Sequence, residues 1–173
     1  MKTFYIGLSR NKQNKIGSVI LQKYMGKNYS HCFFEYDTMR GVDDNTIFHS
    51  AMSSGVSYWS NFQFEKVNTK SHLYEINVSD EVFKALRTKI HSRAGGHYAG
   101  WQNIGIILVD MCQNLGFDIK NPFRENENCS ELVYLALVEL HPELDKEYRQ
   151  NTIRPDQIED ILEKYNYKNI LGE

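Results

Sequence analysis

The stretch Asn126-Glu127-Asn128-Cys129-Ser130-Glu131-Leu132-Val133 changes from a polar, loop-like run to an apolar helical pattern. Apolar residues continue at helical spacing as far as Leu140, and Pro142 follows two residues later. Asn128 is a favoured N-cap residue, because its side-chain oxygen can accept a hydrogen bond from a free N–H group of the first turn. The stretch therefore predicts an apolar helix that begins at or near Cys129.

The cysteine at the start of this helix has two interpretations. A helix N-terminus carries roughly half a positive charge, which stabilises a thiolate and lowers the pKa of a thiol placed there. Cys129 would then be a nucleophile. Alternatively, Cys129 is a small apolar residue that packs at the beginning of a helix. The stretch by itself supports both interpretations equally, so the rest of the chain has to separate them.

Upstream of this helix, six short segments have the composition and alternation of β-strands. They lie at residues 3–8, 29–37, 46–51, 56–59, 62–67 and 73–78. Because the turns between several of them are short, we expect antiparallel pairing. A period of two places His31, Phe33 and Glu35 on one face of the second strand. Cys32 then points to the other face, where we expect it to be a core residue.

Five segments have helical periodicity, at residues 16–26, 79–96, 101–116, 129–140 and 154–165. Ser79 is a favourable cap for the second helix, and Pro155 suits the first turn of the last. An apolar stripe at three- and four-residue spacing gives the third helix its expected inner face, formed by Trp101, Ile104, Leu108, Met111 and Leu115. Strands followed by helices predict an α+β fold, with an antiparallel sheet packed against helices.

The composition excludes several classes of protein. A chain of 173 residues suits one domain, which we place at residues 1–173. Hydrophobic residues make up 41% and charged residues 24%, which is typical of a folded globular protein and not of a disordered one. The net charge of -2 and the pI of about 6.3, without a dense basic stripe, argue against nucleic acid as a partner.

The sequence also bears on location and on bound metals. No apolar run is long enough to span a membrane, which takes about 18 residues, and the N-terminal run is too short for a signal peptide. We therefore expect a cytoplasmic protein, which includes one encoded by a virus or phage. The three cysteines, Cys32, Cys112 and Cys129, are odd in number and widely spaced. They predict neither a disulfide framework nor a zinc knuckle, and no cofactor or metal is expected.

A thiolate nucleophile needs a base, and histidine suits that role because its ordinary pKa is about 6.5. The chain contains six histidines: His31, His49, His72, His91, His97 and His141. We expect His91 and His141 to be solvated residues at helix ends. His72 has no special context, and His97 lies in a glycine-rich loop. His31 and His49 differ from the rest because both lie in apolar strands, where a histidine is either structural or catalytic.

Five motifs occur along the chain in a specific order. They are Ser30-His31 at the start of an aromatic strand, Ile47-Phe48-His49-Ser50-Ala51 before Gly55-Val56, Gly96-His97-Tyr98, Asn128-Cys129-Ser130-Glu131-Leu132-Val133 and Pro155-Asp156-Gln157-Ile158. Together they resemble the circularly permuted NlpC/P60 papain-like hydrolases, which include the YiiX-like group and, more distantly, the lecithin retinol acyltransferase-like proteins. The resemblance runs from about residue 16 to residue 162, and its specificity lies in the combination of motifs.

The resemblance implies a papain-like core in which the histidine strand precedes the cysteine helix. It makes Cys129 the nucleophile, His31 the base and His49 the third, orienting residue of a Cys-His-His triad. Members of the YiiX-like group often have Glu at the position of His49, so His is a departure from that pattern. Glu35 is the substitute for the third role, although we expect it to be a solvated strand carboxylate.

The implied reaction is acyl transfer through a thioester, with an amide bond of a peptide or peptidoglycan fragment as the expected substrate. The backbone N–H of Cys129 would hold the oxyanion together with a second donor, for which Tyr5 and Tyr98 are candidates. The alternatives are hydrolysis or transfer of lipid acyl groups on the same fold and a binding module without turnover. A zinc site formed by Cys129, His31 and His49 is a third, less favoured alternative, because the sequence contains no local pair of ligands.

Overall fold

A computed structural model describes residues 1–13, 15–37, 44–51, 54–97, 102–117, 119–120 and 128–172. Within these residues the chain forms an α+β fold, in which helices pack against an antiparallel sheet of six strands. The predicted fold class is therefore confirmed at this level. Several residues of the predicted turns and motifs lie outside the described residues: residues 41–43 of the turn expected at 41–45, Ser53 of the turn expected at 53–55, and residues 126 and 127 before the cysteine helix. Tyr98 also lies outside them.

The sheet has the order β4-β3-β2-β1-β5-β6, and every neighbouring pair is antiparallel. The strands are β1 (Lys2–Asn11), β2 (His31–Tyr36), β3 (Thr46–Ala51), β4 (Gly55–Ser60), β5 (Asn68–Val78) and β6 (Lys168–Asn169). The two histidine strands, β2 and β3, are neighbours. Their register pairs Phe34 with Phe48 and runs as far as Tyr36 opposite Thr46, so the first half of β2 lies outside this ladder.

Seven α-helices and one short 3-10 helix lie within the described residues. They are α1 (Ile16–Met25), α2 (Asn61–Val67), α3 (Asp80–His91), α4 (Gln102–Asn114), α5 (Cys129–Leu140), α6 (Leu144–Glu147), α7 (Pro155–Lys164) and the 3-10 helix Gln150–Thr152. Gly26 ends α1 with a φ of 66°, in the left-handed region that favours glycine. Ser79 caps α3 as predicted, by accepting a hydrogen bond from the backbone N–H of Val82.

The two faces of the sheet carry separate hydrophobic clusters. The larger cluster lies under α5, α3 and α7 and includes Cys32, Phe34 and Leu132. The smaller one lies on the face covered by α2 and consists of Phe33, Ile47, Phe64 and Leu73, with Tyr5 and Trp59 packed against it. The alternation along β2 is therefore as predicted, and consecutive residues enter different layers of the molecule.

The segment 62–67 is a helix and not the predicted strand. Ser60 and Gln63 form a capping box, in which the Ser60 hydroxyl accepts from the Gln63 backbone and the Gln63 side chain accepts from the Ser60 backbone. Phe64 is fully buried in the smaller cluster, and Phe62 is 63% exposed. The aromatic content that indicated a strand is instead divided between the two sides of α2.

The buried face of α4 also differs from the prediction. Ile106 and Val109 are buried, whereas three members of the predicted stripe, Leu108, Met111 and Leu115, are exposed. The remaining two members, Trp101 and the side chain of Ile104, lie outside the described part of the structure. Because α4 is apolar on several sides, its periodicity alone does not select the face that packs.

Candidate active site

Cys129 is the first residue of α5, as the capping signal predicted. The Asn128 side-chain oxygen accepts from the backbone N–H of Glu131 at 2.8 Å, and the Glu131 carboxylate accepts from the backbone N–H of Asn128 at 3.0 Å. This capping box fixes the entry of the chain into the helix. The side chain of Cys129 is held at the positive end of a helix that packs against β2 and β3.

The Cys32 thiol and the His31 imidazole are the two neighbouring side chains whose hydrogen bonds lower the pKa of the Cys129 thiol. Both partners belong to the first two residues of β2. Cys129 is 2% exposed, whereas His31 is half-buried, so the sulfur is covered while the neighbouring ring still meets solvent. The contact brings together two residues that the sequence predicted as nucleophile and base.

The second imidazole contacts the first. Nε2 of His31 lies 3.0 Å from Nδ1 of His49, a hydrogen-bonding distance, and the two rings meet edge to face at 82°. His49 is 1% exposed and packs edge-on against Trp59 and Phe64. The three predicted residues therefore form a continuous chain of side chains, from the sulfur through one ring to the other.

Burial determines the charge of His49. Desolvation, followed by the charge of His31, lowers the pKa of His49 from 6.5 to about 2, so its ring is neutral at physiological pH. A neutral ring carries one proton. If Nδ1 accepts the hydrogen bond of His31, that proton is on Nε2. Among the described residues, Nε2 of His49 has no hydrogen-bond partner, and its ring is surrounded by aromatic side chains.

The pKa of the Cys129 thiol lies well below its ordinary value. The largest cause is a hydrogen bond from the Cys32 thiol, and burial opposes it. The charge of His31, a hydrogen bond from His31 and a hydrogen bond from the Cys32 backbone lower the pKa further. The helix N-terminus acts in the same direction. Burial has the opposite result at Cys32, whose pKa is raised, so that thiol keeps its proton.

The sulfur and the imidazoles come from opposite faces of the sheet. His31 and His49 lie on the α2 side, where Phe64 is 6.1 Å from one ring centroid and 5.4 Å from the other. Helix α5 packs on the other side, in the cluster that contains Cys32. His31 and Cys32 lie at the start of β2, beyond the last β2–β3 pair, Phe34 with Phe48.

Glu35 is not the solvated carboxylate that the sequence predicted. It is 3% exposed, its Oε1 accepts from the Asn45 amide at 2.8 Å, and its Oε2 accepts from Lys70 at 2.6 Å. Both carboxylate oxygens are thus engaged with other partners. The residue that contacts the His31 ring is His49. Glu35 lies four residues further along β2.

The other histidines lie in different surroundings. The prediction that His91 and His141 are solvated was wrong. His91 is half-buried against Tyr36, Phe48 and Tyr58, and burial lowers its pKa to about 4. His141 stacks on Tyr165 and hydrogen-bonds Tyr167 at 2.8 Å. His97 is exposed, and His72 contacts Glu159 at 3.5 Å. Each of these interactions lies outside the contacts of Cys129.

Two further residues at the site were not predicted to be functional. Cys32 contacts the Cys129 sulfur, and its own sulfur lies 3.8 Å from the Ser130 hydroxyl. The side-chain nitrogen of Asn128 is buried and has no hydrogen-bond partner among the described residues, although the oxygen of the same amide caps α5. The signal for Cys32 was its position next to His31, and the signal for Asn128 was its position before Cys129.

Neither tyrosine candidate is identified as the second oxyanion donor. Tyr5 pairs with Glu35, whereas His31 pairs with Ser9, four residues along β1. At about 3.3 Å per residue, this separation places Tyr5 roughly 13 Å from the His31 position. Tyr98 lies outside the described residues. The first backbone N–H groups of α5 are without acceptors inside the helix, as at any helix start.

Comparisons with known proteins add no relative to these observations. No family model, no curated protein and no solved structure matches the chain. The described residues include no group of three or more His, Cys, Asp or Glu side chains placed to hold a metal ion. In the same part of the chain, no helix has the length and apolar character needed to cross a membrane.

Proposed function

We propose that this protein is a cysteine hydrolase that cleaves an amide bond, of the peptide or peptidoglycan type, through Cys129, His31 and His49. The observation that carries the proposal is the 3.0 Å hydrogen-bonding distance from Nε2 of His31 to Nδ1 of His49, beside a cysteine whose thiol pKa is lowered by a hydrogen bond from Cys32 and, in part, by the charge of His31 and a hydrogen bond from it. A nucleophile, a base and an orienting partner in contact are the parts that covalent acyl transfer requires.

In the proposed reaction, the Cys129 sulfur attacks the carbonyl carbon of the amide, and its proton resides on His31. The carbonyl oxygen becomes an oxyanion, which the backbone N–H groups at the start of α5 stabilise. The tetrahedral intermediate collapses as His31 gives the proton to the leaving amine, and the acyl group stays on sulfur as a thioester. Water, deprotonated by His31, then attacks the thioester and releases the acid and the thiol.

The role of His49 in this reaction is to orient His31. Because the His49 ring is neutral and buried, it can hold the His31 ring by a hydrogen bond without adding charge to the site. Trp59 and Phe64 pack edge-on against His49 and fix its position in turn. An orienting residue held by aromatic packing keeps the base in one rotamer while the proton moves.

The order of the elements supports the further proposal of a permuted papain-like core. The histidine strands β2 and β3 precede the cysteine helix α5 in the chain, and the helix packs against both strands. This is the arrangement that the resemblance to the permuted NlpC/P60 hydrolases implied. The wider likeness, including the choice of an amide substrate, stands as part of the proposal.

Alkylation across pH tests whether Cys129 is an activated nucleophile. Iodoacetamide should label Cys129 at pH 6 at least about tenfold faster than it labels glutathione, because a low pKa leaves more of the thiol ionised. The control variant Cys112→Ser should keep this fast phase, and Cys129→Ser should lose it. A labelling rate for Cys129 at pH 6 no higher than that of glutathione would contradict the proposal.

Acyl-enzyme trapping tests the chemistry separately from the natural substrate. With p-nitrophenyl acetate, the wild-type protein should release a burst of one equivalent of nitrophenol and carry an acetyl group on the Cys129 peptide. His31→Gln should remove the burst, and turnover should then be sought on peptide amides and on peptidoglycan fragments. A protein that alkylates quickly but forms no acyl-enzyme would be a thiol-reactive binding module and not a hydrolase.

A further inference from the structure

Two reduced cysteines lie side by side in the centre of the molecule. The Cys32 sulfur lies 3.8 Å from the hydroxyl of Ser130, the residue after Cys129, and both cysteines belong to the same buried cluster. A hydrogen bond between the two thiols is also the largest cause of the lowered pKa of Cys129. Their elements are held together by the packing of α5 on β2. The third cysteine, Cys112, lies on α4 and is not part of this cluster.

The two sulfurs have different environments. Cys129 is beside His31 and at the start of α5, and both neighbours favour its thiolate. Cys32 is fully buried, and burial raises the pKa of its thiol, so this sulfur keeps its proton. One sulfur is thus the nucleophile, and the other is a protonated thiol in contact with it. His31, which neighbours Cys32 in β2, is only half-buried.

We propose that Cys32 is a resolving cysteine, which forms a reversible disulfide with Cys129 when a peroxide oxidises the Cys129 sulfur. The geometry assigns this role to Cys32 because it is the thiol in contact with the nucleophile. A redox sensor needs such a resolving thiol next to the reactive one to stop oxidation at a reversible stage.

The chemistry balances with hydrogen peroxide as the oxidant. The Cys129 thiolate attacks one peroxide oxygen, the O–O bond breaks, and the leaving hydroxide takes a proton to become water. This two-electron step leaves a sulfenic acid on Cys129 and reduces the peroxide. The Cys32 sulfur then attacks the sulfenic sulfur, an S–S bond forms, and the S–O bond breaks. The hydroxyl group leaves with the Cys32 proton as a second molecule of water.

The consequence is a switch on the proposed active site. A sulfur in a disulfide has no free electron pair of thiolate character and cannot attack a carbonyl, so the oxidised protein is inactive until a thiol reductant opens the bond. The inference rests on the proposed function only in treating Cys129 as the nucleophile. Formation of the disulfide requires no substrate and no turnover, which allows the two proposals to fail separately.

The test is oxidation of the full chain with hydrogen peroxide, followed by blocking of free thiols and non-reducing peptide mass spectrometry. In the wild type, two of the three thiols should be lost together, and the Cys32 and Cys129 peptides should appear joined, about 2 Da lighter than their sum. Dithiothreitol should then restore the fast labelling of Cys129 by iodoacetamide at pH 6 to its level before oxidation.

Substitution separates the disulfide from the hydrogen bond that Cys32 donates. Cys32→Ser keeps a hydroxyl donor next to Cys129 but cannot form the bond, so its Cys129 should oxidise to sulfinic acid, and dithiothreitol should not restore labelling. Cys112→Ser is the matched control and should oxidise reversibly like the wild type. A sulfinic Cys129 without a joined peptide in the wild type, or equal recovery in Cys32→Ser, would overturn the proposal.

If the disulfide forms but p-nitrophenyl acetate gives no acyl-enzyme, the proposed hydrolase fails and the redox pair stands. If the acyl-enzyme forms but the disulfide does not, the reverse holds. The joined peptide tests the disulfide and the acetylated peptide tests the hydrolase, so neither measurement depends on the other.

Discussion

His49 gives the site a neutral third residue in place of a carboxylate. Its buried ring, with a pKa lowered to about 2, accepts from His31 without carrying charge. The proposed thiolate and imidazolium pair is therefore not balanced by a third, negative group. The position of His31 then depends on its hydrogen bond of 3.0 Å to His49, on its hydrogen bond to Cys129 and on the packing of Phe64 near both rings.

Replacing His49 tests this orienting role. We expect His49→Ala to slow the alkylation of Cys129 at pH 6, and any acyl transfer, by about 10-fold to 100-fold, because His31 loses its partner. His49→Asn offers a neutral oxygen in place of Nδ1 and should recover part of the loss. A variant that folds, as judged by circular dichroism, and alkylates at the wild-type rate would show that His49 is only a packing residue.

Burial of neutral His49 also predicts how stability depends on pH. Its pKa is lowered on folding, so below about pH 6.5 the unfolded chain binds a proton that the folded chain does not. The contribution of His49 to the free energy of unfolding is fully present above pH 6.5. It decreases as the pH drops, by up to about 1.4 kcal/mol per pH unit. His91, with a pKa of about 4, adds to the loss between pH 6.5 and 4.

Urea denaturation at a series of pH values measures this dependence. The wild type should lose free energy of unfolding between pH 6.5 and 4 more steeply than His49→Gln, in which the titrating group is absent. Paired carboxylates contribute equally to both proteins, so the difference between the two curves isolates the histidine. Parallel curves over this range would contradict a buried neutral ring.

Helix α5 is the element that places the proposed nucleophile, and its start was predicted from the sequence. The capping residue, the apolar spacing and the proline stop are all local signals, and they placed Cys129 at the first helical position. The helix α2 had an equally local signal, the Ser60 and Gln63 capping box, but its aromatic residues favoured a strand. The face of α4 could not be selected, because a helix that is apolar on several sides has no single inner stripe.

The N-cap of α5 can be removed without touching the sulfur. Asn128→Ala should lower the free energy of unfolding by about 1 kcal/mol, since the backbone N–H of Glu131 loses its acceptor. Asn128→Asp is the matched control, because it keeps an oxygen at the cap and should restore stability. It also puts a negative charge next to Cys129, which should raise the pKa of that thiol in the alkylation profile. Equal stability of Asn128→Ala and wild type would contradict the role of the cap.

At the scale of the whole molecule, a buried carboxylate connects the C-terminal helix to the chain before β2. Glu159 on α7 is 4% exposed, and its Oε2 accepts from Lys27 and from the Tyr29 hydroxyl, each at 2.5 Å. Its other oxygen lies 3.5 Å from His72 on β5. Tyr29 is two residues before His31, so this cluster supports the segment from which the base projects.

The carboxylate cluster gives a prediction for global stability. Glu159→Ala should lower the free energy of unfolding by about 2–3 kcal/mol, because the buried Tyr29 hydroxyl loses its acceptor and partly exposed Lys27 loses its partner. Glu163→Ala removes an exposed carboxylate from the same helix and should change stability by less than about 0.5 kcal/mol. Urea denaturation of both variants checks this, and equal effects would contradict a structural role for the cluster.

Local sequence patterns thus predicted most of the helices and strands and the three candidate residues on them. The structure places Cys129, His31 and His49 close together. The local patterns do not reach the contacts between distant segments. The alternation along β2 correctly predicted that Cys32 is in the core. It could not predict the interaction of Cys32 with Cys129, because that interaction depends on how α5 packs against β2. The Glu159 cluster joins residues 130 positions apart and has no local signal at all.

The late position of the cysteine helix has a consequence for biosynthesis. A ribosome releases β2 and β3 long before α5, so the nascent protein displays two imidazoles and no partner for them. The causes that lower the pKa of the Cys129 thiol, Cys32 and His31, act only after α5 has docked on the sheet. If Cys129 is the nucleophile that we propose, its reactivity therefore arises only with the completed tertiary structure, and a chain that ends before α5 lacks it.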